Sequence, residues 1–473
     1  TCVTKKEITG GGTEYFVATT GNDSAAGTLV APWRTIAHAL AAANQSAGST
    51  GRANNIITLR GGTYREVVNS NGISGDSGGP LVIRNHQNEE VIIDGNGLGG
   101  EACFNFINSS YIKIKGLKIT GCARSGIILG SNSSVEGVEI YESNQSETLR
   151  GRGIVISGTA SAKKNNSEII NSTIRDNQGR QGTSGLYIWD TDNLWVCGNK
   201  IYGNNDDGID GLTGVVNANF ENNYIYNNRG DGLKLGQFGS NGTAGNEAKN
   251  NLAKNNIFYN NSNGLTITGF NNKAYYNTII RGNTRSNTFV LSGKDNIIKN
   301  NLIGTSIVIA NDLTGQTHDP QSFQMTHNLF DPTGSSIAFG GSLGATRTTY
   351  GTLADLCTNE DLGCSSIDGA AGLVGPASGD FRLSVNSLAK DRADGSVGVN
   401  NDYANTARPQ GTGYDIGAYE YTSGQVLGAR WQEDRASINK PVGLLSLALL
   451  SALGSLGVLW AAGIKIFLES KND

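Results

Sequence analysis

A four-residue pattern, glycine–apolar–any–apolar, returns through the middle of this chain at intervals too short for most folds. It reads Gly126-Ile127-Ile128-Leu129, Gly153-Ile154-Val155-Ile156 and Gly185-Leu186-Tyr187-Ile188, then Gly208-Ile209-Asp210, Gly232-Leu233-Lys234-Leu235 and Gly264-Leu265-Thr266-Ile267. A second pattern, Asn-x-apolar-polar-Asn, keeps the same beat, with Ile174, Ile201, Ile225 and Ile257 at its apolar position. Two short strands per 22–32 residues leave no room for a β-α-β unit. A unit this small cannot bury its own apolar face and must stack on its neighbours. Asn takes 53 of the 473 positions, 24 of them between 201 and 300. It suits the turns, because it tolerates left-handed backbone and its amide can bond to the turn above. The expectation is all-β, a parallel β-helix whose coils are stacked strands.

Composition narrows the function. Gly fills 66 positions, and with so much Asn a helix-rich fold is disfavoured. Only 16% of residues are charged and the net charge is −4, with no Lys/Arg stripe, which argues against a nucleic-acid partner.

The ends divide the chain. Pro32 to Leu40 begins an amphipathic helix expected to cover the open N-terminal edge of the solenoid. The reading is a β-helix with its cap over 1–310, C-terminal coils and cap over 311–421, a linker over 422–440, a transmembrane helix over 441–468 and a short tail over 469–473. Val442 to Ile464 is 23 residues without a charge, enough to span a bilayer core of about 30 Å. Small residues Ala448, Ser451, Ala452 and Ser455 form a stripe suited to partner transmembrane helices. The chain starts at Thr1 without an initiator Met, read as a removed leader. The expected location is therefore the cell surface or periplasm, with the β-helix outside and the C-terminus cytoplasmic. Six cysteines fit an oxidising compartment. Cys357 with Cys364, and Cys103 with Cys122, are the expected pairs; Cys2 and Cys197 have no evident partner.

The repeat also places side chains. In Gly-apolar-x-apolar the apolar residues face inward, so the x position faces out. Down the stack that column reads Ile128, Val155, Tyr187, Asp210, Lys234, Thr266. Before the glycines stand Ser125, Arg152, Ser184, Asp207, Asp231 and Asn263, and Asp206 precedes Asp207. Carboxylates crowded around one lysine repel unless a cation sits between them, and Ca²⁺ takes six to eight oxygen ligands of this kind. A lysine beside a divalent ion has its charged form disfavoured, so its pKa should fall and free amine become available as a general base. The competing expectation is a plain charge ladder, with Lys234 neutralising Asp210 and Asp231.

NNDDGIDGL (204–212), followed one coil later by GDGLKLGQ (230–237), resembles the pectate lyases of polysaccharide lyase family 9. The entry segment YFVATTGNDSAAGTLVAPWRTIAHAL (15–40) is similar to that group too. The resemblance implies calcium ligands at Asp206, Asp207 and Asp210, and a base at Lys234. It further implies calcium-assisted β-elimination on an acidic polysaccharide of the pectate type. A further acidic ligand of the family falls at Ser184 here, and Asp190 is the alternative for it. Asp231, Tyr187 and Arg229 complete the candidate metal- or substrate-binding set. Tyr187, Trp189 and Trp195 are candidate sugar platforms, and Arg152, Arg175, Arg180 and Arg229 candidate partners of a polyuronate. Two other readings compete. One is a hydrolase using the Asp206-Asp207 pair, although the Gly-His-Gly turn of polygalacturonases is missing. The other is a non-catalytic β-helix surface protein, or a peripheral subunit of a membrane complex.

Overall fold

The computed structural model describes residues 2–3, 12–45, 55–70, 72–143, 151–179, 182–236, 246–310, 319–341 and 346–423. The apolar run at 442–464 and the linker before it lie outside the described residues; among those described, no helix is long and apolar enough to cross a membrane.

Three sheets of 12 strands each run the length of a parallel β-helix. The first opens with Glu14–Val17 and ends with Gln324–Thr326; the second runs from Val68–Asn69 to Thr348–Tyr350, and the third from Gly62–Tyr64 to Ile367–Asp368. All their pairings are parallel except the last of the second sheet, where Ile337–Phe339 meets Thr348–Tyr350 antiparallel. The glycine pattern makes the second sheet and the Asn-x-apolar pattern the third. Each coil also contributes a strand to the first sheet, which the repeat did not reveal. Strands such as Ser134–Glu136, Glu168–Ile170 and Asn219–Glu221 turn one apolar residue inward (Val135, Ile169, Phe220), too weak a signal to stand out. In the third sheet, Ile225 stacks on Phe258 rather than on Ile257, one residue away from the position the motif suggested.

The repeating glycine has a steric cause. A Cβ on Gly208 would stand 2.7 Å from the Gly232 carbonyl oxygen and 2.7 Å from Ile225 Cγ2. The backbone of each coil therefore lies too close to the next for a side chain at this corner.

The Asn-Asn dipeptides divide two jobs between their members. The first takes left-handed backbone, as at Asn222 (φ 54°), Asn227 (φ 57°) and Asn255 (φ 52°). The second turns its amide into the solenoid. Asn223 Nδ2 donates to Asn256 Oδ1 at 2.9 Å, and Asn256 Nδ2 to Asn277 Oδ1 at 3.0 Å, in a ladder running from Asn199 to Asn328. A parallel ladder joins Asn177, Asn204, Asn228, Asn261 and Asn287. Each rung also accepts a backbone N–H from the preceding coil, so the buried turns leave few polar groups unmet.

The helix expected near the N-terminus is present as α1 (Ile36–Gln45), with Ile36, Ala39, Leu40 and Ala43 buried against the first coils. Thr35 Oγ1 accepts from His38 N, and the Glu66 carboxylate accepts from Ile36 N and Ala37 N. Asp23 braces Thr35 by accepting from Arg34 N, Thr35 N and the Thr35 hydroxyl. Burial pushes the Asp23 carboxyl upward, but these three donors outweigh it and hold the group below the ordinary carboxylate range. Its support is therefore full above about pH 4 and is lost as pH falls through the lower folded value. Acidification should release about 1 kcal/mol of bracing at this cap. Tryptophan emission, through Trp33 stacked on Tyr15, should show an acid step that Asp23→Asn removes.

The coils continue past residue 310, where the sequence suggested that they decay; Gln324–Thr326, Leu329–Phe330 and Ile337–Phe339 remain in register. A second helix, α2 (Leu353–Glu360), closes this end by burying Leu353 and Leu356. Residues 371–421 were expected to belong to the C-terminal cap. They fold back along the outer face of the third sheet, where Phe381 packs on Tyr224 and Tyr259. Ala418 N donates to Thr278 Oγ1, Gly417 N to Asn300 O, and Asn255 Nδ2 to Asn401 O. The fully buried pair Arg408–Glu420, at 2.7 Å, holds this segment together.

All six cysteines are paired. Cys357–Cys364 and Cys103–Cys122 are as expected, and Cys2 bridges to Cys197 across 195 residues. Trp195 packs on that bridge beside Ile170, on the first sheet, so it is not a platform for the acidic cluster.

Candidate active site

The outward column of the second sheet is in the register that the repeat implied: Val155 pairs with Tyr187, Tyr187 with Asp210, Asp210 with Lys234, and Lys234 with Thr266. The corner residues before the glycines form a second column. Gly153 N donates to Ser184 O, Gly185 N to Asp207 O, Gly208 N to Asp231 O and Gly232 N to Asn263 O. The two columns run side by side and bring Asp207, Asp210, Asp231 and Lys234 together over two coils.

Lys234 Nζ stands 3.2 Å from Asp210 Oδ1 and 3.6 Å from Asp207 Oδ2. Asp207 Oδ1 accepts the Asp231 backbone N–H at 2.6 Å, and Asp231 Oδ1 accepts from Asn263 Nδ2 at 2.7 Å. All three acids are buried, and the lysine side chain is only 19% exposed. Burial, with the charges of Asp210 and Asp231, pushes the Asp207 carboxyl well above the ordinary range; burial raises Asp231 too. Lys234 also moves up; the expected fall was for a lysine beside a bound divalent ion. Burial disfavours its charge, but Asp210, Asp207 and Asp231 together outweigh burial and hold it as ammonium.

Calcium can be tested against this geometry. The donors are hard oxygens of the kind that calcium prefers. Yet Asp207 and Asp210 converge on the Lys234 ammonium, and among the described residues no three acidic, thiol or imidazole groups are arranged to hold a metal ion. The donor chemistry fits calcium, and two of the candidate ligands, Asp207 and Asp210, are paired with the Lys234 ammonium.

The remaining candidates separate. Ser184 is fully buried beside Asp207 in the corner column, and its Oγ has no hydrogen-bond partner. Asp206 sits at the outer corner, where its carbonyl accepts from Gly230 N and its charge adds to the field on Asp207. Asp190 does not replace an acid at Ser184. It follows Trp189 at the other end of that strand and is engaged by Lys163 Nζ at 3.3 Å and Asn246 Nδ2 at 2.7 Å. Nothing in the local sequence marks Lys163 or Asn246 as its partners, because they come from different coils. Arg229 lies on the exposed corner and donates to Asn205 Oδ1. Arg175 belongs to the third sheet, paired with Glu139 and Asp176. Tyr187 is half-buried, with Trp189 6.2 Å away and the Arg152 guanidinium 4.1 Å above its ring.

Comparison with known proteins agrees with this architecture. Residues 15–325 match the model of the Pel9A-like, right handed beta helix region. Over 243 residues the chain is 29% identical to the uncharacterized protein YwoF of Bacillus subtilis, covering 47% of this chain and 48% of that one. Over 88 residues it is 42% identical to pectate lyase PEL9 of Emericella nidulans, 18% of this chain and 20% of that one. The chain thus spans no more than about half the length of these curated relatives. The crystal structure of pectate lyase Pel9A superposes with a TM-score of 0.56 at 17% identity, covering 86% of this chain and 96% of that one, a likeness of fold. With both the coil register and the matched span in agreement, the chain belongs to the Pel9A-like right-handed β-helix family.

Proposed function

We propose that this protein is a polysaccharide lyase that cleaves an acidic polysaccharide by β-elimination, with Lys234 as the base. The observation that carries the reading is Lys234 itself, the lone cation in register with Asp210 and beside Asp207, on the outer face where a glycan can lie. Its amine takes the proton from the uronate carbon next to the carboxylate. The electron pair left behind forms the carbon–carbon double bond, and the glycosidic carbon–oxygen bond breaks. The departing oxygen takes a proton from water and ends as a hydroxyl, and the ammonium gives its proton to the hydroxide left behind. Calcium at Asp206, Asp207 and Asp210 would neutralise the sugar carboxylate and acidify that carbon. Asp210 and Asp207 keep the lysine aligned through their contacts with its Nζ, and Asp231, fixed by Asn263, adds its charge to the field on it. We place the enzyme outside the cytoplasm, tethered through residues 442–464.

A non-catalytic role is the second reading, favoured by the buried serine at 184 and the ammonium state of Lys234. The two separate in one assay. The full-length protein is followed by ultraviolet absorbance of unsaturated uronate on polygalacturonate and alginate, with calcium and with chelator. A calcium-dependent rise supports the lyase; no rise on either polymer, with no calcium bound by calorimetry, overturns it.

A further inference from the structure

We propose that the side chains of Lys163 and Asn246 are joined by an amide bond, formed with Asp190 as proton relay, that ties successive coils of the solenoid together. The inference is independent of the lyase reading and concerns a modification of the chain by its own residues.

The repeat brings the reactants to one place. Lys163, Asp190 and Gly214 each stand just before a strand of a short three-stranded sheet, formed by Lys164–Asn165, Thr191–Asp192 and Val215–Val216. Asn246 comes from the next coil, where Lys249 pairs with Val216 and the Asn246 carbonyl accepts from Gly214 N. The same corner of four consecutive coils thus supplies a lysine, an aspartate, a glycine and an asparagine. Lys163 Nζ lies 3.1 Å from Asn246 Oδ1 and donates to the Gly214 carbonyl at 2.7 Å. Asp190 Oδ1 touches both nitrogens of the reaction: the attacking Lys163 Nζ at 3.3 Å, and the departing Asn246 Nδ2 at 2.7 Å. The Asp190 side chain is only 5% exposed and that of Lys163 22%, so water has little access to the amine.

Gly214 is the second observation. Its backbone is left-handed (φ 72°), and a Cβ there would collide with Asp190 Oδ1 and stand 2.8 Å from both Lys163 Nζ and Asn246 Oδ1. The bare glycine gives the three side chains room to meet. An ion pair of Lys163 with Asp190 alone would need neither that room nor the amide.

An amide resists a free amine in solution, but groups held in contact react without the entropic cost of an encounter. One proton passes from Nζ to Asp190 Oδ1, and the freed electron pair forms a bond to the Asn246 side-chain carbon. Asp190 gives its proton to Nδ2, whose bond to that carbon breaks. The departing nitrogen takes a second proton from the new amide and leaves as ammonium. The positive charge of the lysine goes with it, and Asp190 ends as the carboxylate it was. The new bond closes a loop across 83 residues.

The test is the mass of the full-length protein, reduced and denatured. The wild type should be about 17 Da lighter than its sequence mass, one ammonia, and its digest should hold a branched peptide joining Lys163 to Asn246. Lys163→Arg, which keeps the charge without the nucleophilic amine, should show its full sequence mass, as should Asp190→Asn. A wild-type mass equal to that of the sequence overturns the inference, and this reading does not depend on any variant folding. So does a loss of ammonia that persists in Lys163→Arg, or that maps to an Asn-Gly pair such as Asn96-Gly97, where a backbone succinimide would account for it. Linkage undiminished in Asp190→Asn overturns the relay.

Discussion

Lys234→Ala is expected to lower the release of unsaturated uronate by about 10²–10⁴-fold, the range in which a positioned general base contributes. The same change should alter how the protein responds to calcium. With the ammonium gone, Asp207, Asp210 and Asp231 face one another across two coils without a counter-charge. Buried acids left in that state favour any cation that fits between them. Calcium should therefore raise the melting temperature of Lys234→Ala more than that of the wild type, and chelator should lower it. Activity near the wild-type level in the variant would remove the lysine from the mechanism. A melting temperature indifferent to calcium in both proteins would remove the metal.

The largest effect on stability is expected at the Asn ladder. Asn256 is fully buried; it donates to the Phe220 carbonyl and Asn277, and accepts from both the backbone N–H and the amide of Asn223. Asn256→Ala leaves groups on two neighbouring coils unbonded, at about 1–3 kcal/mol for each buried orphan. A loss of about 3 kcal/mol or more in chemical denaturation is the expected result. Asn222→Gly, at the left-handed position before the neighbouring rung Asn223, should cost far less, because glycine adopts that backbone readily and the Asn222 amide oxygen has no hydrogen-bond partner. Similar losses at the two positions would contradict the division of labour between paired asparagines.

Much of this was legible before any coordinates. The glycine corner fixed the register, so Asp210 beside Lys234 and Asp207 beside Asp231 could be read from spacing alone. The reason is geometric: each glycine is forced by the carbonyl of the next coil, so it marks the same corner every time. What escaped notice lacked such a marker. First-sheet strands turn a single apolar residue inward, and the Cys2–Cys197 pairing joins residues no local pattern connects. The upward shift of Lys234 comes from Asp210, Asp207 and Asp231 together, two of which lie on a coil other than its own. The partners of Asp190 could not be named from the local sequence, because Lys163 and Asn246 arrive from coils on either side.

The two tethers of the chain have a mechanical consequence. A bare stack of coils unravels from its ends, since each coil touches only its neighbours. Here tension applied at residue 2 is delivered through the disulfide to the coil at residue 197. Tension applied near residue 421 meets the fold-back strip first, whose bonds reach the coils at 255, 278 and 300. A pull on either tether thus loads the interior of the rod, where the asparagine rungs are densest, and spares its end coils.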